Sequence, residues 1–266
     1  MSELAVNLNS FCFEFENSYY DDKDILSIFN NGITSQDILI ASKIIRDKEN
    51  SRFLKLPVDF VSQIKIQSKV SIEKLPKIAE AVYNMEALKA TLASIELAGN
   101  EDVILRVLGP FSTLLQNVDS NTLFKWLYKH KDEMHFALNK ITEALTAYIN
   151  AAISNGVSII SLAEPSALAE VIGEERYREF IIYYTVKLLK EIEANLDKSI
   201  VHICPRTSYE LERYGFVSKE VFSYGCSSYA QALIDMTQAN NIKFIGHRCI
   251  NAENSNADKI YVLKLL

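Results

Sequence analysis

The feature that most narrows the possible folds is an alternation repeated along the chain: short apolar runs, each followed by a helix-length stretch whose apolar residues fall three and four apart. Phe11-Cys12-Phe13-Glu14-Phe15 alternates with period two and reads as a first strand. Further strands are expected at Phe53 to Phe60, Val103 to Leu108, Val157 to Ala163, Ser199 to Arg206, Val221 to Tyr224, Lys243 to Arg248 and Ile260 to Leu266. Between them, Thr34-Ser35-Gln36-Asp37 resembles a capping box opening a helix through Ile38, Ala41, Ile44 and Ile45. Ser71 to Gly99 reads as mostly helical, and Tyr229 to Asn240 as a short helix. Met134, Leu138, Ile141, Leu145, Tyr148 and Ala152 form one apolar stripe with Gly156 at its C-terminal end, and Phe180, Tyr184, Leu188 and Ile192 form another on the helix expected over Glu174 to Leu196. Eight strands interleaved with helices make an α/β protein, a (β/α)8 TIM barrel, complete or shortened, with residues 1–266 as one domain.

Such barrels place their chemistry on loops at the C-terminal ends of the strands. Asp59, Gly109-Pro110, Glu164, His202 and Cys204, Cys226, and His247 and Cys249 all fall at that kind of position. His202 and Cys204 lie two apart on a strand, so an imidazole and a thiol project from one face. Phe244 to Cys249 repeats the arrangement with His247 and Cys249. Two His-x-Cys pairs supply the two nitrogens and two sulfurs of a tetrahedral zinc site. The alternative is that each cysteine is a small buried hydrophobe and each histidine a hydrogen-bonded strand residue. Glu164 either serves the site or is a charge at a helix N-terminus, and Asp59 either reacts or hydrogen-bonds the barrel mouth. His130 and His135 read as solvated helix positions.

Composition excludes some partners. A net charge of −6 without a Lys/Arg cluster argues against a nucleic-acid groove. The apolar runs are strand-length, well short of the roughly 20 residues a membrane span needs. Four scattered cysteines without disulfide spacing, and no basic-then-apolar leader, make a reducing cytoplasm the expected setting.

Gly109-Pro110-Phe111, Phe124-Lys125-Trp126-Leu127, the stretch Gly156 to Ala167 containing Glu164-Pro165-Ser166, and His202-Ile203-Cys204 together resemble the landmarks of the uroporphyrinogen decarboxylase superfamily. Their order and spacing hold from about Thr34 to Arg206, and they are most similar to the methylcobalamin:coenzyme M methyltransferase branch. That resemblance again implies a TIM barrel. It implies zinc held by His202 and Cys204 with a distant cysteine, for which Cys249 is the candidate and His247 a fourth donor. Asp59 and Glu164 are then the expected catalytic carboxylates, and Gly109, Pro110, Phe111 and Ser166 the expected cofactor contacts.

The implied reaction is zinc-dependent transfer of a methyl group from a methyl-corrinoid, methylcobalamin or a corrinoid protein, to a small thiol such as coenzyme M. A non-catalytic member that binds a corrinoid or a partner protein is the alternative, followed by methyl transfer to a pterin. Uroporphyrinogen decarboxylation is disfavoured because that branch uses N-terminal arginines for substrate carboxylates, and no arginine precedes Arg46.

Overall fold

The computed structural model describes residues 27–29, 33–56, 72–74, 86–165, 169–239 and 241–266. The expected strand at Phe11–Phe15, Asp59 and Ser166 lie outside them.

Seven strands form one sheet: β1 (Leu54–Lys55), β2 (Val103–Leu108), β3 (Ile159–Ala163), β4 (Ile200–Ile203), β5 (Val217–Ser228), β6 (Phe244–Ile245) and β7 (Asn256–Leu265). Their order across the sheet is β1-β2-β3-β4-β6-β7-β5. The first five are parallel, whereas β7 runs antiparallel to both β6 and β5. The direction of β7 therefore departs from the all-parallel arrangement of a complete barrel. Parallel neighbours need a crossover of a dozen or more residues. Only residues 246–255 join β6 to β7, so the chain returns antiparallel.

The helices form where the sequence provides caps. In Ser35–Glu49, the Thr34 hydroxyl accepts the Asp37 N–H at 3.2 Å and the Asp37 carboxylate accepts the Thr34 N–H at 3.3 Å, the reciprocal capping box. Pro110 and Pro205, which break an element at most positions, are each a first residue of a helix, Pro110–Asn117 and Pro205–Arg213. The Lys131–Ser154 helix buries its whole expected stripe, and Gly156 follows it at φ +92°. The helix over Glu174–Glu193 contains a π-helical turn, Tyr177–Ile182. No helix among the described residues is long and apolar enough to cross a membrane.

Alternation along the strands creates two cores. Val103, Leu105, Val107, Ile160, Leu162, Val201 and Ile203 face the larger core, shared with the helices Ser35–Glu49, Lys131–Ser154 and Tyr183–Glu193. Ile104, Ile159 and Ile200 face a second core with Phe53, Ile245, Val262 and the Tyr229–Thr237 helix. That second face is the one a closed barrel encloses. Among the described residues the sheet is open, and the Tyr229–Thr237 helix covers apolar surface that a strand ladder would otherwise seal. The β1 edge is tied to the turn before β7: Glu253, in that turn, accepts the Ser51 hydroxyl at 3.0 Å and the Arg52 N–H at 3.2 Å, and the Asn254 amide donates to Asn50 O. The fold is of TIM-barrel type, its sheet open among the described residues.

Candidate functional site

Three of the strand ends expected to carry chemistry, those of β2, β3 and β4, lie side by side. Gly109 N–H donates to Ala163 O at 2.8 Å and Cys204 N–H to Leu162 O at 2.9 Å, so the ladder continues past β2 and β4 and holds Gly109, Glu164 and Cys204 beside one another.

Glu164 is fully buried at the end of β3. Its carboxylate accepts the N–H groups of Phe111 at 3.0 Å and Ser112 at 2.8 Å, the free donors of the Pro110–Asn117 helix. Burial pushes its carboxyl up to about 7, against the downward pull of the Ser112 and Phe111 hydrogen bonds. A Cβ on Gly109 would lie 2.5 Å from Glu164 Cγ, so the glycine is what lets the carboxylate in. The Gly109-Pro110-Phe111 turn, expected to contact a cofactor, thus spends the Phe111 amide on a side chain of this chain. Glu164 thus accepts from the N-terminus of the helix that follows β2.

His202 sits on β4 in register with Ser161, which pairs with Arg106. The three share the second face of the sheet. His202 is fully buried; its Nε2 lies 3.0 Å from the Tyr229 hydroxyl, and Nδ1 has no hydrogen-bond partner. Burial pushes the imidazole down to about 4, against weaker upward pulls from backbone of His202 and Arg248. The Tyr229 ring meets His202 edge-on at 6.0 Å, and the Arg248 guanidinium stacks 4.6 Å over the same ring. Burial raises the Tyr229 phenol far above its ordinary range, so it keeps its proton.

Cys204 does not continue the strand. β4 ends at Ile203, and Cys204 is the N-cap of the Pro205–Arg213 helix, its Sγ accepting the Thr207 N–H at 3.5 Å with the Thr207 hydroxyl at 3.1 Å. β4 ends one residue before Cys204, so strand alternation does not by itself set where the thiol points relative to His202.

His247 is turned elsewhere. It adopts φ +61° after Gly246, its N–H donates to the Ser208 hydroxyl at 2.8 Å, and its ring lies edge-on to Tyr209 at 4.2 Å and near Tyr261. Its Nε2 is 3.1 Å from a Glu212 carboxylate oxygen, within ion-pair reach but off the hydrogen-bond line. Burial and Lys219 lower its proton affinity, with Glu212 opposing them. Cys249 immediately precedes the turn Ile250–Ala252. Neither Cys204 nor Cys249 is in a disulfide.

The expected donors His202, Cys204, Cys249 and His247 have the right chemistry for zinc, and His202 Nδ1 is a buried nitrogen with no other partner. They are not gathered: among the described residues no three His, Cys, Asp or Glu side chains are grouped to hold a metal ion. As placed, they do not fit a resident zinc. Sequence reasoning missed Tyr229, Thr207 and Arg106. Only Arg106 carried a signal, a cation in the middle of an otherwise apolar strand.

Comparison with known proteins adds the lineage. The family model described as uroporphyrinogen decarboxylase (URO-D) matches residues 44–251. The methylcobamide:CoM methyltransferase MtbA of Methanosarcina mazei is 30% identical over 145 residues, 52% of this chain and 42% of that protein. The methylcobamide:CoM methyltransferase MtaA of Methanosarcina barkeri is 27% identical over 101 residues, 38% of this chain and 29% of that protein. A uroporphyrinogen decarboxylase of Chlorobium limicola is 28% identical over 139 residues, 48% of this chain and 38% of that protein. This chain therefore spans less than half the length of each of these relatives. A solved methyltransferase from Methanosarcina mazei shares the fold, with a TM-score of 0.52 at 17% identity, over 68% of this chain and 60% of that one.

Proposed function

The chain belongs to the uroporphyrinogen decarboxylase family, and within it we propose that the protein is a methyltransferase, moving a methyl group from a methylated corrinoid to a small thiol of the coenzyme M kind. Two relatives named for that reaction support the reading. The observation that carries it is the rim where Gly109, Glu164 and Cys204 lie side by side at the ends of β2, β3 and β4, with the Cys204 sulfur at a helix N-terminus. In the reaction, the acceptor sulfur bonds to the methyl carbon as the cobalt–carbon bond breaks, the bonding pair stays with cobalt, and the acceptor's thiol proton departs. Desolvation favours such a displacement, and the buried face around His202 supplies it. Glu164 acts from a distance: it fixes the turn after β2, and its N–H anchors Thr207 beside Cys204. The family resemblance also implies zinc on His202, Cys204 and Cys249. Because those donors are not gathered, no step here depends on it. We place the reaction in the reducing cytoplasm.

The experiment is methyl transfer from methylcobalamin to coenzyme M, followed by loss of methylcobalamin absorbance, with metal content measured on the same preparation. Turnover that disappears in His202→Ala and in Cys204→Ser, each still folded, supports the reading. Unchanged turnover in both would remove it.

A second reading is favoured by the dispersed donors and by the Tyr229–Thr237 helix lying over the face that carries His202. It is a family member that binds a corrinoid or partner protein without turnover. That protein would shift the methylcobalamin spectrum on binding and leave the methyl group in place with or without thiol.

A further inference from the structure

An open pocket of about 580 Å³ lies along the Glu174–Glu193 helix, on the helix-covered side of the sheet and not on the face that carries His202. That is the size of a small-ligand site. Its charged and polar walls divide into groups already satisfied and groups that are not. Glu179 is held by the Lys131 amine at 3.0 Å and lies 3.2 Å from His135 Nε2, while His135 Nδ1 lies 3.0 Å from the Tyr184 hydroxyl. These groups ask nothing of a ligand. Glu175 and Arg178 differ: both are exposed and line the pocket, and among the described residues neither side chain has a hydrogen bond or an ion pair. The Arg178 guanidinium has only the Phe216 ring, 5.8 Å away.

Opposite charges three apart on an α-helix are neighbours and ordinarily support each other. Here the π-helical turn Tyr177–Ile182 begins between the two. A turn closed by i→i+5 bonds is wider than an α-turn, so the charges stand apart, each facing the pocket; such turns are frequent at functional sites.

We infer that this pocket binds a free α-amino acid with an aromatic side chain, its carboxylate on the Arg178 guanidinium, its ammonium on the Glu175 carboxylate and its ring against Tyr183 and Phe216. A guanidinium fork matches a carboxylate in a charge-assisted pair. A ligand with one charge would leave one of the two side chains unmatched, whereas a zwitterion matches both. Tyr183, exposed and edge-on to Tyr184, and the half-buried Phe216 offer a flat ring the stacked and edge-on contacts that aromatic groups prefer. The site shares no residue with the Cys204 rim, so it stands or falls independently of methyl transfer.

The test is binding of L-phenylalanine to the full chain, followed by saturation-transfer NMR titration without corrinoid or thiol, beside phenethylamine, which lacks the carboxylate, and hydrocinnamate, which lacks the ammonium. The wild type is expected to bind L-phenylalanine about tenfold more tightly than either, the worth of one hydrogen bond to a charged group. Arg178→Gln is expected to abolish the preference over phenethylamine and keep that over hydrocinnamate, and Glu175→Gln to do the reverse. Both side chains are exposed, so neither change is expected to disturb folding. Absent binding of L-phenylalanine, equal affinity of the wild type for the three probes, or variants that keep both preferences would overturn the inference.

Discussion

Lys55 and Glu253 form a 2.6 Å ion pair that joins the first strand of the sheet to the turn preceding the last. Both side chains are largely buried, and the Glu49 carboxylate also lies 2.7 Å from the Lys55 amine. Burial alone would lower the lysine's proton affinity, but Glu253 and then Glu49 outweigh it and hold it above the ordinary value. Its contribution to stability is therefore present through neutral pH and is lost only in strong alkali. The pair fastens the β1 edge of the sheet to the turn before β7, two segments that no strand pairing joins.

Breaking that fastening from one side strands a buried charge. Lys55→Met is expected to destabilise the protein by about 3–5 kcal/mol. Lys55→Met with Glu253→Gln is expected to recover much of the loss, because the more deeply buried carboxylate is neutralised and only the part-exposed Glu49 loses its partner. Urea unfolding of the two variants measures both quantities; a double variant no more stable than the single one would show that the pair is not what holds the two segments.

Gly109 and Glu164 form a second coupled pair. Alanine at 109 would place its Cβ on the Glu164 side chain and is expected to cost about 1–3 kcal/mol, as overpacking does. In a Glu164→Ala background the obstruction is gone, and the same change at 109 is expected to cost a few tenths. A double-mutant cycle by chemical unfolding reads the difference directly, and additive costs would refute the coupling.

Glu164 and His202 give opposing pH dependences. With its carboxyl held up to about 7, Glu164 binds its proton more tightly folded than unfolded, so its contribution falls as pH rises from about 4.5 to 7. With its imidazole held down to about 4, His202 contributes more as pH rises from about 4 to 6.5. Each swing is worth about 3 kcal/mol, and in the wild type they largely cancel over the shared range. Glu164→Gln is expected to expose the rising slope and His202→Gln the falling one. Unfolding midpoints at a series of pH values measure this, and parallel curves for both variants would contradict it.

Tyr229→Phe keeps the edge-on ring and the Arg248 stack but removes the hydroxyl beside His202 Nε2. It then leaves both nitrogens of a buried imidazole without a partner, at an expected cost of about 1–3 kcal/mol. In a His202→Phe background the tyrosine change is expected to cost close to nothing. Equal costs in the two backgrounds would mean that the hydroxyl is not serving His202.

What the sequence disclosed was what burial writes into it. β2 was expected at Val103 to Leu108 and lies there, because a parallel strand covered on both faces is an apolar run, interrupted here only by Arg106. The Lys131–Ser154 stripe was equally plain. β5 was expected only at Val221 to Tyr224 but spans Val217–Ser228, and β7 begins at Asn256 where Ile260 was expected. Lys219, Glu220, Asp258 and Lys259 are exposed, and polar residues on antiparallel strands carry no apolar signal. At the rim, the residue types were legible and their partners were not. Glu164 reaches a helix 52 positions away in sequence, and Tyr229 meets His202 across 27, distances over which local pattern is silent.

The Thr207 hydroxyl touches one strand through a backbone amide and a sulfur at the end of the next, so it works as a strut between them. The sulfur's surroundings are then fixed by how β3 and β4 lie against each other, down through the pairings of Ile160 with Val201 and Ile159 with Ile200. A change deep in that ladder is transmitted upward as displacement. Residues that never approach the rim thereby tune it, and β3 and β4 form a single lever with Cys204 at its tip.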